Sequence, residues 1–212
     1  MPTFAEKLQQ AIKHLSQNDP VMADLISRYP LCQIQPHENY YQELVDAIIS
    51  QQLSVKAASS IERKFCALFG NETSFPQPSE ILEKSIDELR TAGLSRAKAT
   101  YVQDLARHVQ EGEITFDRFP DLSNDEIIKE LVAVKGIGEW TAHMFLIFSL
   151  GRLDVLPVGD LGIRNGIKLL YDFDHLPKPE EMRAIAAQNS WQPYESVASW
   201  YIWQSLDNVP KT

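Results

Sequence analysis

The groups best placed for chemistry lie in residues 123–166, in two places. The first is the tetrapeptide Lys135, Gly136, Ile137, Gly138. Two glycines between two predicted helices allow a tight turn that brings backbone N–H groups to the start of the second helix. Those first-turn N–H groups have no partner within the helix, and with the helix dipole they make a site for an anion such as phosphate. The second is Asp160, which follows Pro157, Val158 and Gly159 and opens a further predicted helix. A carboxylate there either caps the helix, as most aspartates at such a place do, or stabilises positive charge developing on a bound molecule and orients a water. Spacing alone leaves both readings open.

The elements that must position these groups are helices. Ser123 with Glu126 reads as a capping box, and Ile127, Ile128, Leu131 and Val132 recur at helical spacing, so a helix enters the tetrapeptide. The segment that leaves it, residues 140–150, is apolar nearly all round, with Thr141, His143 and Ser149 its polar side chains, which predicts a helix buried in a core. Upstream, Phe4, Leu8, Ile12 and Leu15 mark one amphipathic helix, and Asp19 with Pro20 forms the cap and first turn of another. Helices follow over 39–50 and 54–69, a short one capped by Ser85 and Glu88 ends at Gly93, and the next spans 95–110. Pro76 and Pro78 read as loop, and the last helices cover 160–171, 179–189 and 194–206. No stretch alternates with a period of two for long enough to be a strand. The fold class is therefore all-α, with about ten helices and short connections.

Composition sets the outer bounds. A chain of 212 residues buries enough core for one domain or two small ones. No apolar run of membrane-spanning length and no signal-like amino terminus stand in it, so a soluble protein that is not secreted is expected. Cys32 and Cys66 are too few for a disulfide framework, a zinc site or a four-cysteine cluster, and His143 and His175 lack ligand spacing. The net charge of −9 argues against a nucleic-acid binder, since Lys and Arg supply most non-specific affinity. Its distribution is permissive, however. Lys56, Arg63 and Lys64 face only Glu62 in residues 50–70, and Arg90, Arg96, Lys98 and Arg107 face only Asp104 in residues 90–107. The excess acid lies in residues 121–130 and 172–181.

Helix, GIG-type hairpin, helix and then Asp160 resembles the helix-hairpin-helix DNA glycosylase superfamily, and within it the 3-methyladenine DNA glycosylase II group. The blocks SQQLSVKAA at 50–58, AGLSRAKATYVQDLA at 92–106 and WQPYESVASWYIW at 191–203 also look like that family, in its order. From about His37 to Trp203 the likeness covers most of the chain. It implies two helical lobes with the active cleft between them: residues 37–149 as a contiguous lobe containing the hairpin, and residues 1–36 plus 150–212 as a lobe formed by both chain ends. The amino-terminal β-containing domain of some relatives is expected to be missing.

The resemblance also assigns roles. Asp160 becomes the carboxylate beside a sugar that turns oxocarbenium-like as its base leaves, so catalysis displaces capping as the favoured reading. Trp140 stands where members that also cut the backbone carry a Schiff-base lysine, which implies a monofunctional enzyme using water. Trp140, Met144 and Trp203 would line the base pocket, Met144 replacing the tyrosine of some relatives; a plain core role for either tryptophan stays open. An indole face attracts a cationic alkylated purine by roughly 0.5–2 kcal/mol. Gln51, Gln52 and Leu53 lie where the family inserts a wedge into the minor groove, with Gln52 and Leu53 both candidates for it. Gly136 and Gly138 would hold phosphate through their N–H groups, and Arg96 and Lys98 are further phosphate candidates. No cofactor is expected beyond a monovalent cation on the carbonyls of Val132, Val134 and Ile137 when DNA is bound.

The implied function is hydrolysis of the N-glycosidic bond of alkylated purines, of 3-methyladenine or 7-methylguanine type, to start base-excision repair. The implied partner is double-stranded DNA containing alkylated bases, met by a monomer without a membrane, in the cytoplasm and nucleoid of a bacterium or the nucleus of a eukaryote. The alternatives are a non-catalytic helix-hairpin-helix DNA-binding module and a glycosylase for deaminated or etheno bases.

Overall fold

The computed structural model describes residues 2–70 and 75–206, and every regular element among them is helical. The α-helices are α1 (Phe4–Asn18), α2 (Pro20–Arg28), α3 (Tyr40–Ser50), α4 (Val55–Ala67), α5 (Pro78–Glu83), α6 (Ile86–Arg90), α7 (Arg96–Gln110), α8 (Asn124–Val132), α9 (Glu139–Met144), α10 (Leu161–Leu170), α11 (Pro179–Gln188) and α12 (Glu195–Ser205). A short 3-10 helix spans Phe116–Asp121, and a buried π-helical stretch, Phe145–Ser149, continues α9. The all-α expectation holds, and both capping boxes read from the sequence are present at α6 and α8. Pro78 departs from its expected loop. It is the first residue of α5, where proline has no useful N–H to lose, and Glu80 Oε2 caps the turn by accepting the Gln77 N–H at 2.7 Å.

The chain forms two compact units, Glu38–Ala142 and Met1–His37 with His143–Thr212. The divide lies ahead of the expected one near residue 150 because residues 143–149 pack with the chain ends. The Ser149 carbonyl accepts the His37 N–H at 2.9 Å, and the Phe148 ring lies 5.8 Å from that of Trp203.

The unit made of both ends is built around α12, whose residues from Ser196 to Trp203 are all buried. A helix apolar on every side belongs inside a core. Helix α10 crosses it at Gly166, where a Cβ would sit 2.2 Å from Ile202 Cγ2, so the approach requires glycine. Asp19 ties in the amino-terminal helices. Its Oδ1 caps α2 by accepting the Val21 and Met22 N–H groups, and its Oδ2 accepts Tyr171 Oη–H at 2.6 Å and Trp191 Nε1–H at 2.7 Å.

The contiguous unit packs α3, α5 and α6 on α7. Its half-buried Asp46, on α3, has its carboxyl pushed up to about 7 by burial first and then by the charges of Glu62 and Glu43, with a bond from Gln42 opposing. Burial also raises Glu62. Folded Asp46 therefore holds a proton that the unfolded chain, near its ordinary 3.8, has released. Stability falls as pH rises across that window, by at most about 1.4 kcal/mol per pH unit for this group. Asp46→Asn is expected to raise stability in urea by about 1–3 kcal/mol at pH 8 and by about half as much at pH 5.5. An equal shift at both pH values would mean that titration of Asp46 is not the cause.

Candidate functional site

Asp160 sits at the end of a loop that α12 clamps. Ser196 Oγ accepts the Val155 N–H at 3.1 Å and donates to the Arg152 carbonyl at 2.7 Å, while the Ser196 N–H reaches the Leu153 carbonyl at 2.9 Å. The chain then turns at residues 157–160, the Asp160 N–H donating to the Pro157 carbonyl at 2.9 Å, and enters α10. Asp160 is the N-cap of α10, 8% exposed. Its Oδ1 accepts the Ile163 N–H at 2.8 Å and Trp203 Nε1–H at 2.9 Å. Two donors on one oxygen fix the plane of the carboxylate, and hydrogen bonds to a charged group are each worth about 1.5–3 kcal/mol. Capping and a chemical role are thus compatible, since the cap supplies the rigidity that a preorganised charge needs.

Trp203 lies in the core, the plain role that the sequence left open beside that of a stacking wall. It is fully buried, tilted on Phe148, and has no exposed ring face in this structure; what it gives the site is its N–H. Sequence reasoning assigned the ring and missed the nitrogen. The signal was available, because a buried tryptophan N–H usually finds an acceptor. Met144 is buried as well, whereas Trp140, in the first turn of α9, is 47% exposed and offers its indole to solvent.

The hairpin belongs to the contiguous unit. Gly136 has φ +86°, and a Cβ there would lie 2.2 Å from the Tyr101 ring, whereas nothing stands within 4 Å of a Cβ on Gly138. The Lys135 N–H donates to Asp104 Oδ2 at 2.9 Å, and the Ile137 N–H to the Val134 carbonyl at 3.1 Å. Burial pushes the Asp104 carboxyl up, but the Lys135 N–H and the charges of Lys135, His108 and Arg107 outweigh it, so its pKa falls below the ordinary value. The charged form of Asp104 thereby holds the hairpin backbone.

Gln51, Gln52 and Leu53 follow α3. Gln51 at φ −47°, ψ 126° and Gln52 at φ 59°, with the Leu53 N–H donating to the Ser50 carbonyl at 3.0 Å, form a type II turn. Gln52 and Leu53 are exposed. Gln51 is not: it is half-buried, and its Nε2 donates to the Gly136 carbonyl at 2.9 Å, so it links this turn to the hairpin. Lys98 is also drawn inward. Its ammonium donates to the carbonyls of Ile49 at 2.7 Å and Gln51 at 2.6 Å, and burial lowers its pKa. Arg96 remains at the surface, paired with Asp87 at 3.0 Å.

The family model described as HhH-GPD superfamily base excision DNA repair protein matches residues 45–193, and the chain belongs to that superfamily. Among its relatives, the DNA-3-methyladenine glycosylase 1 of Schizosaccharomyces pombe is 35% identical over 205 residues, covering 96% of this chain and 88% of its own. The crystal structure of a DNA-3-methyladenine glycosidase from Bacillus halodurans superposes with a TM-score of 0.82 at 36% identity, covering 92% of this chain and 88% of that one. The S. pombe 3-methyladenine DNA glycosylase in complex with abasic DNA gives a TM-score of 0.78 at 33% identity, covering 96% and 99%.

Proposed function

We propose that this chain is a monofunctional DNA N-glycosylase that hydrolyses the bond between deoxyribose and an alkylated purine in duplex DNA, the first step of base-excision repair. The observation that carries the mechanism is the Asp160 carboxylate held by Ile163 N–H and Trp203 Nε1–H. As the C1′–N bond breaks, its electron pair leaves with the base, which a cationic methylpurine accepts to become neutral. The sugar turns cationic, and the fixed carboxylate lowers its energy without reorganising. Water then bonds to C1′ and loses a proton, for which Asp160 is the acceptor, leaving an abasic site. Water is the nucleophile because Trp140 carries no amine where a lysine would form a Schiff base.

Gly136 and Gly138 support phosphate binding at the hairpin, with the open side of Gly138 the approach for the backbone. A monovalent cation suits the carbonyl oxygens of Val132, Val134 and Ile137, a hard donor set; that of Val134 has one lone pair on the Ile137 N–H and a second left for it. Such a cation would supply positive charge toward a DNA phosphate.

The test is release of free methylpurine from an alkylated duplex, run beside borohydride trapping. Free base with no covalent complex is expected. A trapped complex would contradict the reading of Trp140, binding without release would leave a non-catalytic hairpin module, and release only from deaminated or etheno duplexes would move the substrate class.

A further inference from the structure

One face of α7 serves both loops of the contiguous unit. Lys98, Tyr101 and Asp104 follow at helical spacing, and each meets a different piece of backbone. Lys98 Nζ takes the carbonyls of Ile49 and Gln51 at the end of α3, Tyr101 lies under Gly136, and Asp104 accepts the Lys135 N–H. Gln51 Nε2 closes the circuit onto the Gly136 carbonyl. The last carbonyls of a helix lack partners within it, and a cation there is favoured by the dipole. Lys98 meets both needs at α3 and in doing so holds the first residue of the type II turn. The second turn residue, Gln52, is in the left-handed region without being glycine, a conformation that costs of order 1–3 kcal/mol and persists only where its surroundings impose it.

We propose that Lys98 is a positioning residue for nucleotide extrusion: acting through Gln51, it holds the exposed tip Gln52–Leu53 in register with the hairpin, so that gripping the backbone and filling the vacated stack occur together. The inference rests on the glycosylase reading. It differs from a phosphate contact in what loss of the ammonium does. A phosphate ligand contributes about one ion to the salt dependence of binding and acts alike on every duplex. A positioning residue leaves that slope alone and matters most where extrusion is hardest, at a well-paired lesion; at a mismatched one the base comes out more cheaply.

The experiment compares wild type with Lys98→Met, Lys98→Arg and Gln51→Met in single-turnover excision of one lesion, placed opposite its partner or in a mismatch. It includes 2-aminopurine fluorescence beside the lesion and the salt dependence of affinity for undamaged duplex. Lys98→Met is expected to slow excision from the paired duplex by about 10–100-fold and from the mismatch by less than about threefold, with the extrusion signal reduced and the salt slope unchanged. Lys98→Arg should restore most of the rate. Gln51→Met, which cuts the link while leaving the ammonium in place, should show the same selective loss and decides the matter if Lys98→Met does not fold. Equal losses on both duplexes, or a salt slope reduced by about one, would overturn the proposal. Wild type that excises from neither duplex would instead refute the glycosylase reading.

Discussion

Asp160→Asn is expected to cut single-turnover release of methylpurine by about 10²–10⁴-fold while leaving the fold intact. The two effects separate because of how the side chain is bound. Asparagine is as good an N-cap as aspartate, and its Oδ1 accepts from Ile163 N–H and Trp203 Nε1–H as the carboxylate does. Only the negative charge and the second oxygen are lost, and those are what the cationic sugar and the attacking water require. Asp160→Ala is a different perturbation. It leaves two buried donors without their acceptor, at about 1–3 kcal/mol each, so it should lower the melting temperature as well as the rate. Trp203→Phe falls between them: Oδ1 loses one of its two donors, and a smaller rate loss follows with the charge still present. Thermal melts run beside excision assays check all three. Release by Asp160→Asn within a few-fold of wild type would remove Asp160 from the chemistry and return it to capping.

What was legible in the sequence divides by the range of the interaction. The capping boxes at Ser85 and Ser123, the cap at Asp160 and the glycine pair of the hairpin are local patterns, complete within a few residues, and they appear as read. The bonds that give the site its character are long-range. Trp203 reaches back to Asp160, Lys98 to Ile49 and Gln51, and Gln51 forward to Gly136. Nothing in the neighbourhood of a lysine tells whether its ammonium meets solvent, a phosphate or two carbonyls from another helix. Family likeness gave Trp203 a place in the base pocket, but which part of an indole is used depends on whether the ring is covered, and that is decided by the packing of Phe148 and the rest of its unit. The boundary near residue 143 was hidden for a related reason: an apolar helix is buried, but its pattern does not say in which core.

The two hairpin glycines, equivalent in the sequence, should respond differently to substitution. At Gly136 two penalties add. A φ of +86° disfavours any L side chain, and the new Cβ would meet Tyr101 Cδ2 at 2.2 Å and Cγ at 2.5 Å, closer than side chains pack. The clash includes Cγ, the root of the ring, so turning the ring about its Cβ–Cγ bond does not relieve it. Gly136→Ala is expected to cost about 2–4 kcal/mol in urea unfolding, and Tyr101→Ala should return the steric part, a coupling of about 1–2 kcal/mol in the double variant. At Gly138 neither penalty applies, so Gly138→Ala should change stability by less than about 0.5 kcal/mol. A bulkier Gly138→Leu fills the open side where a phosphate would approach, and affinity should fall to a similar degree on damaged and undamaged duplexes, since contacts to the backbone carry no base information. If the two alanine variants were equally stable, the Tyr101 contact would not be what shapes the hairpin. If Gly138→Leu bound undamaged duplex as well as wild type does, the DNA backbone would have to approach from another side.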